Sequence, residues 1–177
     1  MRFRIHVAAL VALALAVPAL AQQVTREDVA GIRNLARLET TVACAGATDT
    51  AAVPMVKKMG FVSIINLREA DEPGADIPAA QAAAKEAGLR YFHVPFDGTA
   101  PSPEAATAFL NAIRTPGAEP AFIHCSGGNR AATMWLIKRI AVDGWDVERA
   151  TMEAAALGQT SPTLRQFAID FALKNRR

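Results

Sequence analysis

Apolar residues fall along this chain in short blocks that switch between two periods. FVSIINLR (61–68), YFHVPF (91–96) and AFIH (121–124) are compact runs rich in β-branched and aromatic residues, and each predicts a strand. LETTVACAG (38–46) predicts a further strand over about 39–44. Helical signals lie between these blocks. Thr48-Asp49-Thr50 offers caps for a short helix in AAVPMVKKMG, stopped by Gly60. AAQAAAKEAG (79–88) is an alanine-rich helix with Gly88 at its end. Ser102 caps a helix that opens with Pro103 and Glu104 and runs to about Arg114. Further helices fit about 129–142, 146–157 and 163–175, separated by Val142-Asp143-Gly144, then by Gly158 and Ser161-Pro162. Residues 22–37 read as a polar, partly helical lead-in. Strand–helix alternation predicts an α/β domain with a mainly parallel central sheet of about four to five strands flanked by helices.

The first residues break this pattern. Arg2 and Arg4 precede an apolar run from Val7 to about Leu20, and Ala19-Leu20-Ala21 is a small-x-small site. This is the layout of a cleavable secretory signal over 1–21, and the run is too short and too weakly flanked for a membrane span. The expectation is a single domain over 22–177, exported to the periplasm or secreted, with no stable membrane insertion after cleavage. Without Arg2 and Arg4 the nineteen basic residues become seventeen, equal to the seventeen acidic ones. A neutral mature chain offers no electrostatic case for a nucleic-acid partner. Two cysteines in an exported chain, Cys44 and Cys125, raise the question of a disulfide.

The candidate chemistry is concentrated in AFIHCSGGNRAATMW (121–135). A strand ends at His124-Cys125, and Ser126, Gly127, Gly128 and Asn129 lead to Arg130 at the start of a helix. Such a turn points several backbone N–H groups into one small space, and the two glycines open conformations closed to other residues. The helix contributes the positive end of its dipole, and Arg130 a planar donor fork suited to a tetrahedral oxyanion. The assembly is an anion cradle with a thiol at its mouth, in the setting where thiols act as nucleophiles. In open α/β sheets, ligands sit at the carboxyl ends of the strands, where Cys125 falls.

His124-Cys125…Gly128…Arg130 resembles the signature loop of dual-specificity cysteine phosphatases. It is closest to the bacterial DSP-PTPase-like, or beta-lactamase-hydrolase-like, branch of the protein tyrosine phosphatase superfamily. The resemblance extends over GFVSIINLREADEPG (60–74), GLRYFHVPFDG (88–98), the Pro-Glu helix start at 103–104 and FIHCSGGNRAATMWLIKR (122–139). It implies a cysteine-phosphatase-like fold and hydrolysis of a phosphate monoester through a phosphocysteine, without cofactor or metal. The substrate would be a phosphorylated small molecule or a phosphoprotein. Cys125 would be the nucleophile and Arg130 the grip on the phosphoryl oxygens. The 126–130 backbone would donate N–H groups, and an acid on the preceding loop would protonate the leaving group. Two features depart from the usual pattern. Only four residues separate Cys125 from Arg130, an interval also typical of rhodanese-type sulfurtransferases that carry a persulfide. Ala131 stands where many such phosphatases have a hydroxyl that helps release the phosphocysteine. A sulfurtransferase, and a non-catalytic oxyanion-binding or redox module, therefore stay open as alternatives.

Asp97 is the one acid between Glu86 and Glu104 and opens a Gly/Pro-bounded loop, which makes it the candidate acid. His124 is a candidate support for the thiolate. Asn129 either orients the loop or tolerates an awkward backbone angle. Arg68 either faces the same pocket or pairs at the surface with Glu69, Asp71 or Glu72. His93 reads as a strand-end residue and Trp135 as core. The acids at 69–72 read as a solvated loop, since no histidine lies near them to complete a metal site. Cys44 ends a strand on the rim expected to hold Cys125, which makes it a candidate redox partner. Exported protein is expected to begin at Gln22; an intact mass that retains residues 1–21 refutes the signal assignment.

Overall fold

The computed structural model describes residues 23–176; the expected signal segment lies outside the described residues. Six strands form one mixed sheet: β1 (Val24–Val29), β2 (Ile32–Leu38), β3 (Val42–Ala45), β4 (Ser63–Asn66), β5 (Arg90–His93) and β6 (Ala121–His124). Their order is β1-β2-β3-β6-β4-β5. β3, β6, β4 and β5 run parallel, and β1 and β2 extend the sheet antiparallel. The helices are α1 (Val53–Lys58), α2 (Ile77–Glu86), α3 (Pro103–Ile113), α4 (Asn129–Ala141), α5 (Val147–Ala156) and α6 (Pro162–Lys174).

The expected parallel α/β core is present, and the helix boundaries fall close to those read from sequence. The lead-in is a correction: residues 24–38 form a β-hairpin, not a partly helical segment. The cause is a bulge. Asn34 adopts φ 51° and the register slips between the Glu27 and Val29 pairs, so Ile32 and Leu35 share one face while Ala36 and Leu38 turn to the other. The resulting three-residue apolar spacing imitates a helix. The strand expected over 39–44 begins later, because Glu39 (φ 48°) makes a tight turn in which the Thr41 N–H donates to the Leu38 carbonyl at 2.9 Å.

Alternating residues of the parallel strands feed two cores. Cys44, Ile65, Leu67 and Ile123 face α3, α4, α5 and α6, whereas Ala43, Ala45, Ile64 and Phe122 face α1 and α2. Every residue from Ala131 to Ala141 of α4 is buried, which makes it the central helix of its layer. Trp135 anchors that layer. It is fully buried, and its Nε1 donates to Glu153 on α5 at 2.6 Å. Serines cap α3 and α6: the Ala105 N–H donates to Ser102 Oγ at 3.2 Å and the Leu164 N–H to Ser161 Oγ at 3.3 Å.

Because β6 is central and α4 lies directly behind it, the turn between them sits where the strand ends gather. Trp135→Ala is expected to lower unfolding free energy by about 3–5 kcal/mol, as large-to-small core changes do. The shift in denaturant midpoint checks it, and a change below about 1 kcal/mol would contradict the anchoring role.

Candidate functional site

The β6–α4 turn is built on one left-handed residue. Gly128 has φ 100° and is the N-cap of α4, a conformation in which a side chain is strained. It turns its own N–H onto Cys125 Sγ, at 3.1 Å. Gly127 does not need this freedom. Its φ is not positive, and a Cβ there would stand in open space, so the expectation that both glycines are required conformationally holds for Gly128 alone. The turn is braced from outside. The Ala47 N–H donates to the Ser126 carbonyl at 3.0 Å, Asn34 Nδ2 to the Gly127 carbonyl at 3.1 Å, and the Cys125 N–H to the Ala45 carbonyl at 3.1 Å. Gly46 is needed for close approach, since a Cβ would come within 2.9 Å of the Ser126 carbonyl. Asn129 orients the turn rather than absorbing strain: its Oδ1 accepts from the Thr160 N–H at 3.0 Å and the Ser161 N–H at 3.4 Å. The backbone N–H groups of Ser126, Gly127, Asn129 and Arg130 have no acceptor among the described residues, which leaves four donors at the mouth of a helix.

These donors open on a cavity of about 410 Å³ lined by Cys125, Arg130, Asp97, Glu72, Glu69 and Leu164, among others. Arg130 does not reach into it as a free side chain. Its Nη1 donates to the Phe96 carbonyl at 2.8 Å and the Leu67 carbonyl at 3.3 Å, and its Nη2 to Ser126 Oγ at 3.1 Å. Glu72 takes both ends of the fork, Oε1 at 2.7 Å and Oε2 at 2.9 Å. Burial works against the arginine's charge, but the Glu72 bond and the neighbouring Cys125 thiol hold its pKa above the ordinary value. Burial alone would likewise raise Glu72; bonds from Arg130, the Glu69 amide and Arg68 outweigh it and leave the carboxyl below its usual range.

Glu72 is the residue that sequence reading passed over. The 69–72 segment was expected to be a solvated loop, yet the Glu72 side chain is only 18% exposed and ties Arg68 to Arg130. Arg68 does pair with Glu72, at 3.4 Å, but while buried, and it also donates to the carbonyls of Pro73 and Gly74. It lines a separate cavity of about 280 Å³ against α2, together with His124 and Asn66, and not the cysteine cavity. His93 bonds the Arg68 carbonyl through Nε2 at 2.8 Å and lines neither cavity.

Asp97 does line the cysteine cavity. Its Oδ1 accepts from both the N–H and the Oγ1 of Thr99, each at 2.7 Å. The Thr99 amide first, then its hydroxyl, hold this carboxyl below the ordinary aspartate range. Gly98 lets the same loop lie on Arg130, whose Cγ and Cδ would be 3.3 Å from an added Cβ.

Cys44 on β3 and Cys125, directly after the neighbouring β6, are unbridged, both buried and in the same core cluster. Burial, then the neighbouring Cys125, push the Cys44 thiol well above its ordinary pKa. Among the described residues, no cluster of three or more His, Cys, Asp or Glu side chains could hold a metal ion.

The beta-lactamase hydrolase-like protein, phosphatase-like domain family matches residues 32–142, from β2 through the turn and all of α4. The chain belongs to that family. A beta-lactamase hydrolase-like protein of Xylella fastidiosa is 36% identical over 107 residues, which are 58% of this chain and 24% of that protein. The chain therefore spans about a quarter of the length of the curated relatives it matches. Among solved structures, the DUF442 protein of Shewanella putrefaciens CN-32 superposes with TM-score 0.68 at 19% identity, over 83% of this chain and 96% of that one. A variant of TpbA from P. aeruginosa in complex with pTyr superposes with TM-score 0.62 at 16% identity, over 88% and 97%. At these identities the likeness is one of fold: the sheet and the helices that frame this phosphatase-like domain.

In this phosphatase-like domain His124 lines the cavity against α2 and not the cysteine cavity. Its ring is buried and its Nδ1 makes no well-formed hydrogen bond. Burial, and then the charges of Arg68 and Arg130, lower its pKa from 6.5 to about 3; the Glu72 carboxylate and the Gly46 main chain favour the charged form too weakly to offset this. The imidazole is therefore neutral at ordinary pH. Between pH 6.5 and about 3 the unfolded chain binds a proton here and the folded chain does not. Stability from this residue is full above the upper limit and falls as pH falls, by up to about 1.4 kcal/mol per unit. His124→Asn should flatten the pH dependence of urea unfolding over that window; an unchanged slope would refute the assignment.

Proposed function

We propose that this domain hydrolyses phosphate monoesters through a phosphocysteine on Cys125. The observation that carries the reading is the convergence on one cavity of a thiol, four free backbone N–H groups and a fork-held arginine. A phosphoryl group seated there would meet the N–H groups of 126–130 and the Arg130 edge. The thiolate sulfur attacks phosphorus, an S–P bond forms, and the bond from phosphorus to the ester oxygen breaks. That oxygen leaves with a proton from Asp97. Water then attacks phosphorus and gives a proton back to the Asp97 carboxylate, the S–P bond breaks, and inorganic phosphate and the thiolate are released. In the free domain Asp97 is bonded to Thr99 and ionised, so acid catalysis requires that substrate displace the Thr99 contacts.

Ala131 offers no hydroxyl to the second step, and Ser126 Oγ is engaged by Arg130. Breakdown of the phosphocysteine is then the slower half, and a burst of the first product is expected. The apolar leader supports action in the periplasm or outside the cell. The short Cys125–Arg130 interval favours a second reading, sulfur transfer through a Cys125 persulfide.

Cys125→Ser is expected to abolish turnover while keeping oxyanion binding, and Arg130→Lys to damage both, since a point charge cannot replace a bidentate fork. Asp97→Asn should cost about 10²–10⁴-fold on esters with poor leaving groups and far less on an activated aryl phosphate. Wild-type rates in the Cys125 variant would remove the nucleophile. Sulfur transfer from thiosulfate to cyanide with no phosphate release, and indifference to Asp97→Asn, would establish the second reading instead.

A further inference from the structure

We propose that the mouth of the cavity selects a single phosphoryl group on a neutral or positively charged carrier and rejects carriers with a second anionic group. The inference rests on the phosphomonoester reading and adds the substrate class. Arg130 is the one cation among the lining residues, against three carboxylates: Glu69, Glu72 and Asp97. Arg130 and Glu72 answer each other across a bidentate pair of 2.7 and 2.9 Å, with Arg68 behind them. The charge left to greet a ligand at the mouth is that of Glu69 and Asp97, and neither is in an ion pair among the described residues. The Glu69 main chain is held by its own N–H, which donates to Glu72 Oε1 at 2.8 Å. Asp97 accepts only neutral donors from Thr99.

One phosphoryl group would place its charge against the free N–H groups and Arg130. A carrier then extends past Gly98, Thr99 and Leu164, with Glu69 and Asp97 beside it. A second phosphate or carboxylate on that carrier faces like charge on entry. It faces it again when Asp97 gives up its proton and becomes a full carboxylate next to the departing group. An ammonium in the same place meets opposite charge at both stages. At the separations of a cavity mouth, each unit of charge is worth about tenfold in kcat/KM at low salt. Nucleoside diphosphates, multiply phosphorylated polyols and acidic phosphopeptides are disfavoured; lysine- or arginine-flanked phosphopeptides and neutral aryl or alkyl phosphates are favoured.

Three probes that share a para methylene or methyl carbon and differ in the charge beyond it test this: 4-methylphenyl phosphate, 4-(aminomethyl)phenyl phosphate and 4-(carboxymethyl)phenyl phosphate. The expected kcat/KM order is cationic, neutral, anionic, with about a hundredfold between the extremes at low salt, shrinking as ionic strength rises. Glu69→Gln should narrow the ratio of cationic to anionic probe several-fold. Binding of the same probes to Cys125→Ser, read by calorimetry, should follow the same order. Turnover of all three at equal kcat/KM, or a preference for the carboxymethyl probe, overturns the charge selection and leaves the phosphatase reading standing. Absence of turnover on every probe overturns that reading, and the calorimetric order then decides the charge selection alone: equal affinities sink it.

Discussion

The Arg130 side chain is held by four groups at once: the carbonyls of Leu67 and Phe96, the Ser126 hydroxyl and the Glu72 carboxylate. These come from three different strand ends, β4, β5 and β6, so one guanidinium ties together the loops that leave the parallel sheet. Each contact restricts a different backbone. The carbonyls stop the 67–68 and 96–98 segments from drifting, and Glu72 pulls the acid-rich loop inward. A planar fork is the side chain that can do this, because its five donors diverge in fixed directions. Only part of the fork is then left for a ligand. The backbone N–H groups of the turn therefore supply most of any oxyanion site, and the arginine supplies charge and rigidity. A site arranged before the ligand arrives loses less on binding than one that must be ordered.

Much of this was legible in the sequence, and the gaps have local causes. Three compact apolar blocks marked β4, β5 and β6: β4 and β6 are fully buried and need no alternation, whereas β5 lies half-exposed at the sheet edge and was marked by its aromatic residues. The hairpin was not legible because its bulge at Asn34 converts a two-residue period into a three-residue one. The strand–turn–helix layout around Cys125 was legible because it is set by neighbours in the chain, although Gly127 proved conformationally unconstrained. Glu72 was not, because its function depends on a partner 58 positions away. In sequence it is one acid of three in a loop with proline and glycine, and its burial follows from a tertiary contact. Arg68 was half legible: the ion pair is local, but its burial against α2 comes from the packing of the other face of the sheet.

His124 and Cys125 show what strand alternation does at a strand end. Consecutive residues point to opposite faces, so the thiol enters the α3–α6 layer and the imidazole the α1–α2 layer. The imidazole lies away from the ligand and stays neutral because two arginines and burial oppose its charge. A protonated ring there would add positive charge behind the thiol but would compete with Arg68 and Arg130 for Glu72. The neutral ring leaves the Arg68–Glu72–Arg130 chain undisturbed.

The short interval between Cys125 and Arg130 departs from the usual phosphatase loop, and the geometry shows how four residues carry the chain from the thiol to the arginine. α4 begins at Asn129, directly after Gly128, so the arginine occupies the second helical position. The helix N-terminus is thereby drawn up to the sulfur, and the left-handed Gly128 at its cap delivers an N–H to Sγ at 3.1 Å. A residue with a Cβ at 128 would be strained in that conformation, so the loop depends on glycine there more than at 127. Gly127 is under no such constraint: its φ is not positive and a Cβ there would meet open space. Of the two adjacent glycines, the turn's conformation therefore depends on Gly128.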